Sequence, residues 1–271
     1  MHTGTETLPS AVHRLDEIAA RAAGKRLALF LDYDGTLTPI VDRPEDAVLA
    51  SETRALLQEL ARAWTVAVVS GRDLDDVRTR VGLNELYYAG SHGFNLSGPG
   101  NLEDEHEHAK RFLPILDRAQ RQLEEKLGPI AGAQVERKRF AIAIHYRRVR
   151  AEEVGAVEAG VDVVRANHPE LRKATGKKIF ELRPDIEWDK GKAVLWLLET
   201  LRLDGQEALA IYIGDDVTDE DSFHALRGRG ISIVVRDQAR PTAAGYCLES
   251  TEQVPAFLRA LADRLRSGAA G

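Results

Sequence analysis

Cysteine is almost absent from this chain of 271 residues: Cys247 stands alone, which excludes an intrachain disulfide. A fold without cross-links, in a reducing cytoplasm, is the expectation that follows. No apolar stretch approaches the roughly 20 residues needed to span a bilayer. The N-terminus lacks the basic, then apolar, pattern of a signal peptide. Basic charge is not in excess either. The 37 Lys and Arg stand against 43 Asp and Glu, for a net charge of −6 and a pI near 5.8. A nucleic-acid footprint is basic, and a polybasic membrane anchor needs the same excess, so neither partner is expected. Internal repeats are lacking. So is a long apolar seam of the kind an obligate dimer buries, and a monomer is expected. What the chain does have is 44% hydrophobic and 30% charged residues, the composition of a soluble globular protein with a core. Its length suits one large domain or two modest ones.

The richest stretch is Leu29-Phe30-Leu31-Asp32-Tyr33-Asp34-Gly35-Thr36-Leu37-Thr38. An apolar run from Leu27 to Leu31 ends in two carboxylates two residues apart. Buried parallel strands read as continuous apolar runs, and ligands sit at the carboxyl ends of such strands. One acid can serve as nucleophile and the other as general acid and base. Gly35 allows a sharp turn that presents backbone N–H groups to an anion. Alone, the pair reads equally well as a strand ending in a solvated Asp-Gly turn.

Three later segments share that layout. Val66-Ala67-Val68-Val69 ends in Ser70-Gly71-Arg72. Lys190 lies in Asp189-Lys190-Gly191-Lys192-Ala193, ahead of the helical pattern Val194, Leu195, Leu197, Leu198. Leu209-Ala210-Ile211-Tyr212-Ile213 ends in Gly214-Asp215-Asp216-Val217-Thr218-Asp219-Glu220-Asp221. Around them, residues 10–23 and 52–63 have helical periodicity, and Leu86-Tyr87-Tyr88-Ala89-Gly90 reads as a strand ending in Ser91-His92-Gly93. Strand, helix, strand spacing of this kind indicates βαβ units and a parallel sheet.

Between the Ser70 and Lys190 segments the texture changes. A long helix is expected from about His108 to Leu127. Residues 134–147 alternate as two short strands about Lys138-Arg139, a helix runs from about Glu152 to Ala166, and 178–183 alternate again. The fold expected is therefore α/β: a Rossmann-like core with a parallel sheet (1–104 and 186–271) and an inserted α+β domain (105–185). Residues 266–271 read as a frayed tail.

Asp32/Asp34, Ser70, Lys190 and Asp215/Asp216, in this order, resemble the four motifs of the haloacid dehalogenase (HAD)-like phosphohydrolases. The resemblance implies Asp32 as nucleophile, forming an aspartyl-phosphate, and Asp34 as proton donor to the leaving oxygen, oriented by Thr36. It implies Mg²⁺, suited to hard oxygen ligands, on Asp32, on the Asp34 carbonyl and on Asp215, with Asp216 and Asp219 as ligands through water or as supports. Ser70 and the N–H groups of Gly71 and Arg72 are the expected phosphate cradle at a helix N-terminus, with an ordinary N-cap as the competing reading of Ser70. Lys190, rather than Lys192, is expected to neutralise the phosphate and Asp32. An acidic helix start competes for Glu220 and Asp221.

Further segments, including Gly90-Ser91-His92-Gly93, Glu136-Arg137-Lys138, His145-Tyr146-Arg147 and Glu181-Leu182-Arg183-Pro184, make residues 27–235 similar to the trehalose-6-phosphate phosphatase family. The similarity implies that the insert is a cap that reads the sugar. Candidate sugar contacts are His92, Lys138, His145, Arg147, Lys178, Glu181 and Arg183, with Lys178 and Glu181 the preferred pair; a solvated strand face is the competing reading of each. The expected reaction is Mg²⁺-dependent hydrolysis of a small-molecule sugar phosphate, trehalose 6-phosphate. Alternatives are sucrose 6-phosphate, a mannosyl phosphate, or a catalytically silent sugar-phosphate sensor.

Overall fold

Five of the six residues of Arg26–Leu31 (β1) are buried, as a strand covered on both faces requires. The computed structural model describes residues 8–105, 107–176, 178–236, 238 and 240–268. In chain order β1 follows α1 (Leu15–Ala22). It is succeeded by α2 (Ser51–Leu60), β2 (Thr65–Val69), α3 (Leu74–Val81), β3 (Tyr87–Gly90), β4 (Asn95–Gly98) and β5 (Leu102–Glu105). Then come α4 (Glu107–Lys110), α5 (Leu113–Leu127), β6 (Gln134–Lys138), β7 (Ala141–His145), α6 (Val154–Asn167), β8 (Leu171–Gly176) and β9 (Ile179–Pro184). The chain closes with α7 (Lys190–Thr200), β10 (Ala208–Gly214), α8 (Glu220–Ala225), β11 (Gly230–Val235), β12 (Tyr246–Leu248) and α9 (Gln253–Gly268). Two compact units divide it: Met1–Glu103 with Trp188–Gly271, and Asp104–Glu187. No helix among the described residues is long and apolar enough to cross a membrane.

The larger sheet has the order β12-β11-β10-β1-β2-β3-β4-β5. It is parallel from β12 to β3, and β4 pairs antiparallel with β3. The chain leaves β1 toward β2 and β3, then returns on the other side to β10. The strand order therefore reverses beside β1, and a crevice opens outside the carboxyl ends of β1 and β10, where open α/β sheets bind ligands. Alternate residues feed two cores. Leu29, Leu31, Ile211 and Ile213 pack with helices α1, α2, α3 and α9. Ala28, Phe30, Ala67 and Tyr212 pack with α7 and α8. Each large side chain taken from water in this way contributes about 1.5–3 kcal/mol.

Both ends of the chain depart from expectation. The first helix starts at Leu15, because residues 9–11 are spent on the sheet: Cys247 N–H donates to Pro9 O at 3.0 Å and Ala11 N–H to Cys247 O at 2.8 Å. That bridge covers the edge strand β12, which otherwise offers unpaired backbone. At the other end α9 continues to Gly268, and Arg266 bonds Glu59 at 2.7 Å, so residues 266–268 are not frayed; residues 269–271 lie outside those described.

The second unit is a four-stranded antiparallel sheet, β6-β7-β9-β8, with α5 and α6 packed on one face. The single helix expected over 108–127 is two. It breaks at Arg111-Phe112, because Pro114 lacks an N–H and fits only the first turn of α5. The helix expected from Glu152 begins as a 3-10 turn over Ala151–Glu153.

Candidate active site

Asp32 follows β1 directly and is 4% exposed; Lys190, the first residue of α7, is 3% exposed; Asp219 is wholly buried. Charges so far from water need partners, and they have them. Lys190 Nζ donates to Asp32 Oδ1 and to Asp219 Oδ1, both at 2.8 Å. Tyr212 Oη donates to the same Asp219 oxygen at 2.7 Å, and Asp216 N–H donates to Asp219 Oδ2 at 2.9 Å. Burial alone would lower the Lys190 pKa, but the Asp219 and Asp32 carboxylates reverse that and hold it well above the ordinary lysine value. Lys190 is therefore a fixed ammonium. The backbone N–H of Lys192 donates to Asp189 Oδ1 at 2.8 Å and so caps the start of α7.

Two glycines let this centre close. Gly35 has φ +83°, and a Cβ there would lie 2.2 Å from an oxygen of the Asp215 carboxylate. Its own N–H donates to Thr38 O at 2.7 Å and closes the turn. Gly191 explains the Lys-Gly pairing: a Cβ would lie 2.4 Å from Asp221 O, so only glycine lets the start of α7 reach the backbone beside Asp219. Asp216 caps the turn over Val217–Asp219, accepting from Val217 N–H at 2.7 Å. Glu220 and Asp221 open α8, as an acidic helix start would.

Asp34 meets a partner that the sequence did not suggest. The Arg72 guanidinium grips its carboxylate with two bonds, Nε–Oδ2 at 2.6 Å and Nη2–Oδ1 at 2.7 Å. Arg72 also bonds Asp76 Oδ2 at 2.8 Å and lies over the Tyr33 ring. Thr36, expected to orient Asp34, has its hydroxyl buried without a hydrogen bond. The helix after Ser70 starts only at Leu74, with Asp73 as N-cap, so Ser70 is neither the N-cap nor at a helix N-terminus. The Arg72 N–H is turned to Ser70 Oγ at 3.1 Å. His92 lies with this loop: its N–H donates to Ser70 O at 2.9 Å, and its ring stands 2.8 Å from where a Gly71 Cβ would be.

Oxygens of Asp32, Asp215 and Asp219 all lie within 4.8 Å of one another. Burial raises the Asp32 pKa well above the ordinary value; Lys190 opposes this, and Asp219 and Asp215 add to it as like charges. Three carboxylates against one ammonium is the donor set a hard divalent cation fits. Arg240, unmarked in the sequence, donates to the Asp215 carbonyl.

In the second unit, register places Glu136, Ala143, Glu181 and Ala174 opposite one another across β6, β7, β9 and β8. Ile142, Ile144, Phe180 and Leu182 take the helix-covered face, so this row and its i±2 neighbours Lys138, His145, Arg172 and Arg183 share the other. Lys138 Nζ lies 3.1 Å from Glu181 Oε1, Arg183 Nε 3.9 Å from Glu181 Oε2, and His145 Nε2 2.6 Å from Glu136 Oε2. Glu181, one of the two preferred sugar contacts, is paired with Lys138. Lys178 sits exposed in the β8–β9 turn with φ +65°. Arg147 is exposed, two residues beyond β7.

An acid-tipped β1 at the switch point, a buried lysine opening α7 and an α+β unit set between them make up the fold of the HAD-like hydrolases. A haloacid dehalogenase-like hydrolase from Bacteroides thetaiotaomicron matches the fold with TM-score 0.63 at 17% identity, over 88% of this chain and 99% of that one. The chain belongs to the trehalose-phosphatase family, whose model matches residues 30–252. It is 44% identical to the trehalose-phosphate phosphatase of Mycobacterium avium (strain 104), over 96% of this chain and 68% of the relative. It is 42% identical to trehalose 6-phosphate phosphatase RA3 of Zea mays, over 96% and 76%. The C-terminal domain of C. albicans trehalose-6-phosphate phosphatase has the same fold, with TM-score 0.81, 22% identity and coverage of 95% and 99%.

Proposed function

We propose that the chain hydrolyses trehalose 6-phosphate to trehalose and phosphate through an aspartyl-phosphate on Asp32. The observation that carries the chemistry is the Lys190 ammonium held 2.8 Å from Asp32 at the switch point. Asp32 attacks phosphorus, the sugar oxygen leaves, and Asp34 supplies its proton. Asp34 then takes a proton from water, whose oxygen attacks the same phosphorus and frees phosphate and the Asp32 carboxylate. Lys190 stays protonated throughout and offsets the charge of Asp32 and of the phosphate. Ser70, with the Gly71 N–H, completes the phosphate cradle, and Arg72 contributes by holding Asp34 through its side chain.

Mg²⁺ is the proposed cation, held by the Asp32 and Asp215 carboxylates and the Asp34 carbonyl. When bound it offsets the negative charge that would otherwise repel the phosphate. Asp216 and Asp219 support the site, since their oxygens already accept backbone N–H groups. The second unit serves as the cap. Lys138, Glu181, Arg183, His145 and, newly, Glu136 offer paired donors and acceptors on one sheet face, the chemistry that sugar hydroxyls need. His92, Arg147 and Lys178 remain candidates at the margins. A silent sensor has no use for both Asp32 and Asp34. A monomer in the cytoplasm completes this reading, consistent with a lone free thiol.

Phosphate release with Mg²⁺ from trehalose 6-phosphate, sucrose 6-phosphate, glucose 6-phosphate and mannose 6-phosphate tests the proposal. A preference of about two decades or more in kcat/KM for the first is expected. Equal, slow release from all four would keep the phosphatase and reject the substrate.

A further inference from the structure

Tyr212 lies in the middle of β10, wholly buried, with its ring edge-on to Phe223 at 5.7 Å between centroids. An apolar strand position would ordinarily carry Phe or Ile, because a buried hydroxyl without a partner is costly. Here the hydroxyl has one partner, Asp219 Oδ1, at 2.7 Å, and that oxygen also accepts Lys190 Nζ at 2.8 Å. The other oxygen of Asp219 accepts the Asp216 N–H at 2.9 Å. Three donors from β10, α7 and the turn after β10 thus fix one carboxylate that meets no solvent.

We infer that Tyr212 is a positioning residue of the hydrolysis: its hydroxyl holds Asp219 Oδ1 on Lys190, and so holds the ammonium on Asp32. Asp219 belongs to the three-carboxylate cluster with Asp32 and Asp215. A carboxylate released on one side can turn toward a cation, which would draw it away from Lys190. Tyr212 therefore separates the two tasks of the acidic cluster. Asp219 serves the lysine, and Asp32 and Asp215 are left to the metal. The inference rests on Lys190 and Asp32 forming the reacting centre.

Tyr212→Phe removes the hydroxyl and keeps the ring, so packing against Phe223 persists. Expected in the full chain are a fall of about tenfold in kcat, the size of one lost bond to a charged group, a KM within about twofold, and an unfolding midpoint close to the parent's. Mn²⁺ binding to the metal-free protein, read by electron paramagnetic resonance of the free ion, should tighten by at least about threefold as Asp219 joins the site. A double-mutant cycle with Lys190→Met tests the route: in the Lys190→Met background Tyr212→Phe should change kcat less than about twofold. An unchanged kcat and Mn²⁺ affinity in Tyr212→Phe would overturn the inference, as would additive effects in the cycle. If Lys190→Met itself retained full turnover, the reading of the reacting centre would fail instead, and the two failures are distinct.

Discussion

The two units use charge in opposite ways. In the crevice of the first, the Lys190, Asp32 and Asp219 side chains keep 3%, 6% and 0% of their exposure, and the ammonium–carboxylate contacts are 2.8 Å. On the sheet face of the second, Lys138 and the buried Glu181 keep 18% and 11%, and His145 and Glu136 keep 25% and 45%. A buried ion set is costly to assemble, and it leaves an uncompensated charge when one member is removed. A partly exposed pair such as His145–Glu136 contributes little to stability, and in either pair one partner can be traded for a hydroxyl without moving a set of three. On the proposed reading the chemistry is preorganised, and recognition is left exchangeable.

Asp32→Asn strikes the buried set hardest. It should lower kcat by about four decades or more, as the loss of a covalent nucleophile does. The fold should hold, with an unchanged or higher melting temperature, because Asn removes a charge that burial penalises and that Asp219 and Asp215 oppose, while the Lys190 ammonium that loses Asp32 keeps Asp219 as its partner. Phosphate release and thermal unfolding on one preparation check both; a variant that keeps more than about one part in a hundred of kcat cannot have lost its nucleophile. Glu181→Gln strikes the exchangeable set. Here kcat/KM for trehalose 6-phosphate should fall about a hundredfold, while turnover of a generic aryl phosphate changes less than about twofold. Equal losses on both substrates would erase the distinction between the two regions.

What the sequence reveals follows the same division. Asp32, Lys190 and Asp215 are legible because each is a charge at the end of an apolar run or ahead of an apolar helix, positions where a charge has no packing role. Tyr212 is not legible: inside an apolar run it looks like one more core ring, and only the fold shows what its hydroxyl meets. The sequence points to the N–H of Arg72, yet its side chain holds Asp34, because residues 70–73 form a loop and not a helix start. On the second unit, alternation places Lys138 and Glu181 on one face; Lys178 stands just outside β9 in a left-handed turn, where alternation no longer assigns a face. The strands β4, β5 and β12 are only three or four residues long, too short for a period to register. β8 carries Arg172 and Lys173, which hide its pattern.

Two glycines in helices carry the comparison into stability, with opposite signs. Gly191→Ala places a methyl group 2.4 Å from Asp221 O, a backbone atom that cannot step aside. The start of α7 must shift, at a cost of about 1–3 kcal/mol, and Lys190 shifts with it, so kcat should fall as well. Gly155→Ala, in α6, meets nothing within 4 Å. It should stabilise by about 0.5–1 kcal/mol through the lower backbone entropy of the unfolded chain, with kcat unchanged. Urea unfolding of both variants beside the parent gives the two signs. A destabilised Gly155→Ala would show that α6 is as tightly fitted as α7.

The smallest effect concerns His168, which ends α6 and is 7% exposed. Its Nε2 is buried without a hydrogen bond. Burial, then the Arg118 charge, pushes its pKa below the ordinary 6.5. The folded chain therefore keeps this ring neutral at a pH where the unfolded chain protonates it. Between the folded pKa and 6.5 the unfolded state binds more protons, so stability rises with pH through that window, is complete above it, and is lost as pH falls. The loss should be below about 1 kcal/mol and confined to the second unit. Amide exchange along α6 and β8 in the full chain, compared at about pH 5.5 and 7.5, should show protection weakening at the lower pH, and His168→Gln should remove that dependence. If His168→Gln keeps it, another group carries the acid sensitivity. If the loss appears equally at the buried ion set of the first unit, the two regions are not separate in their response to protons.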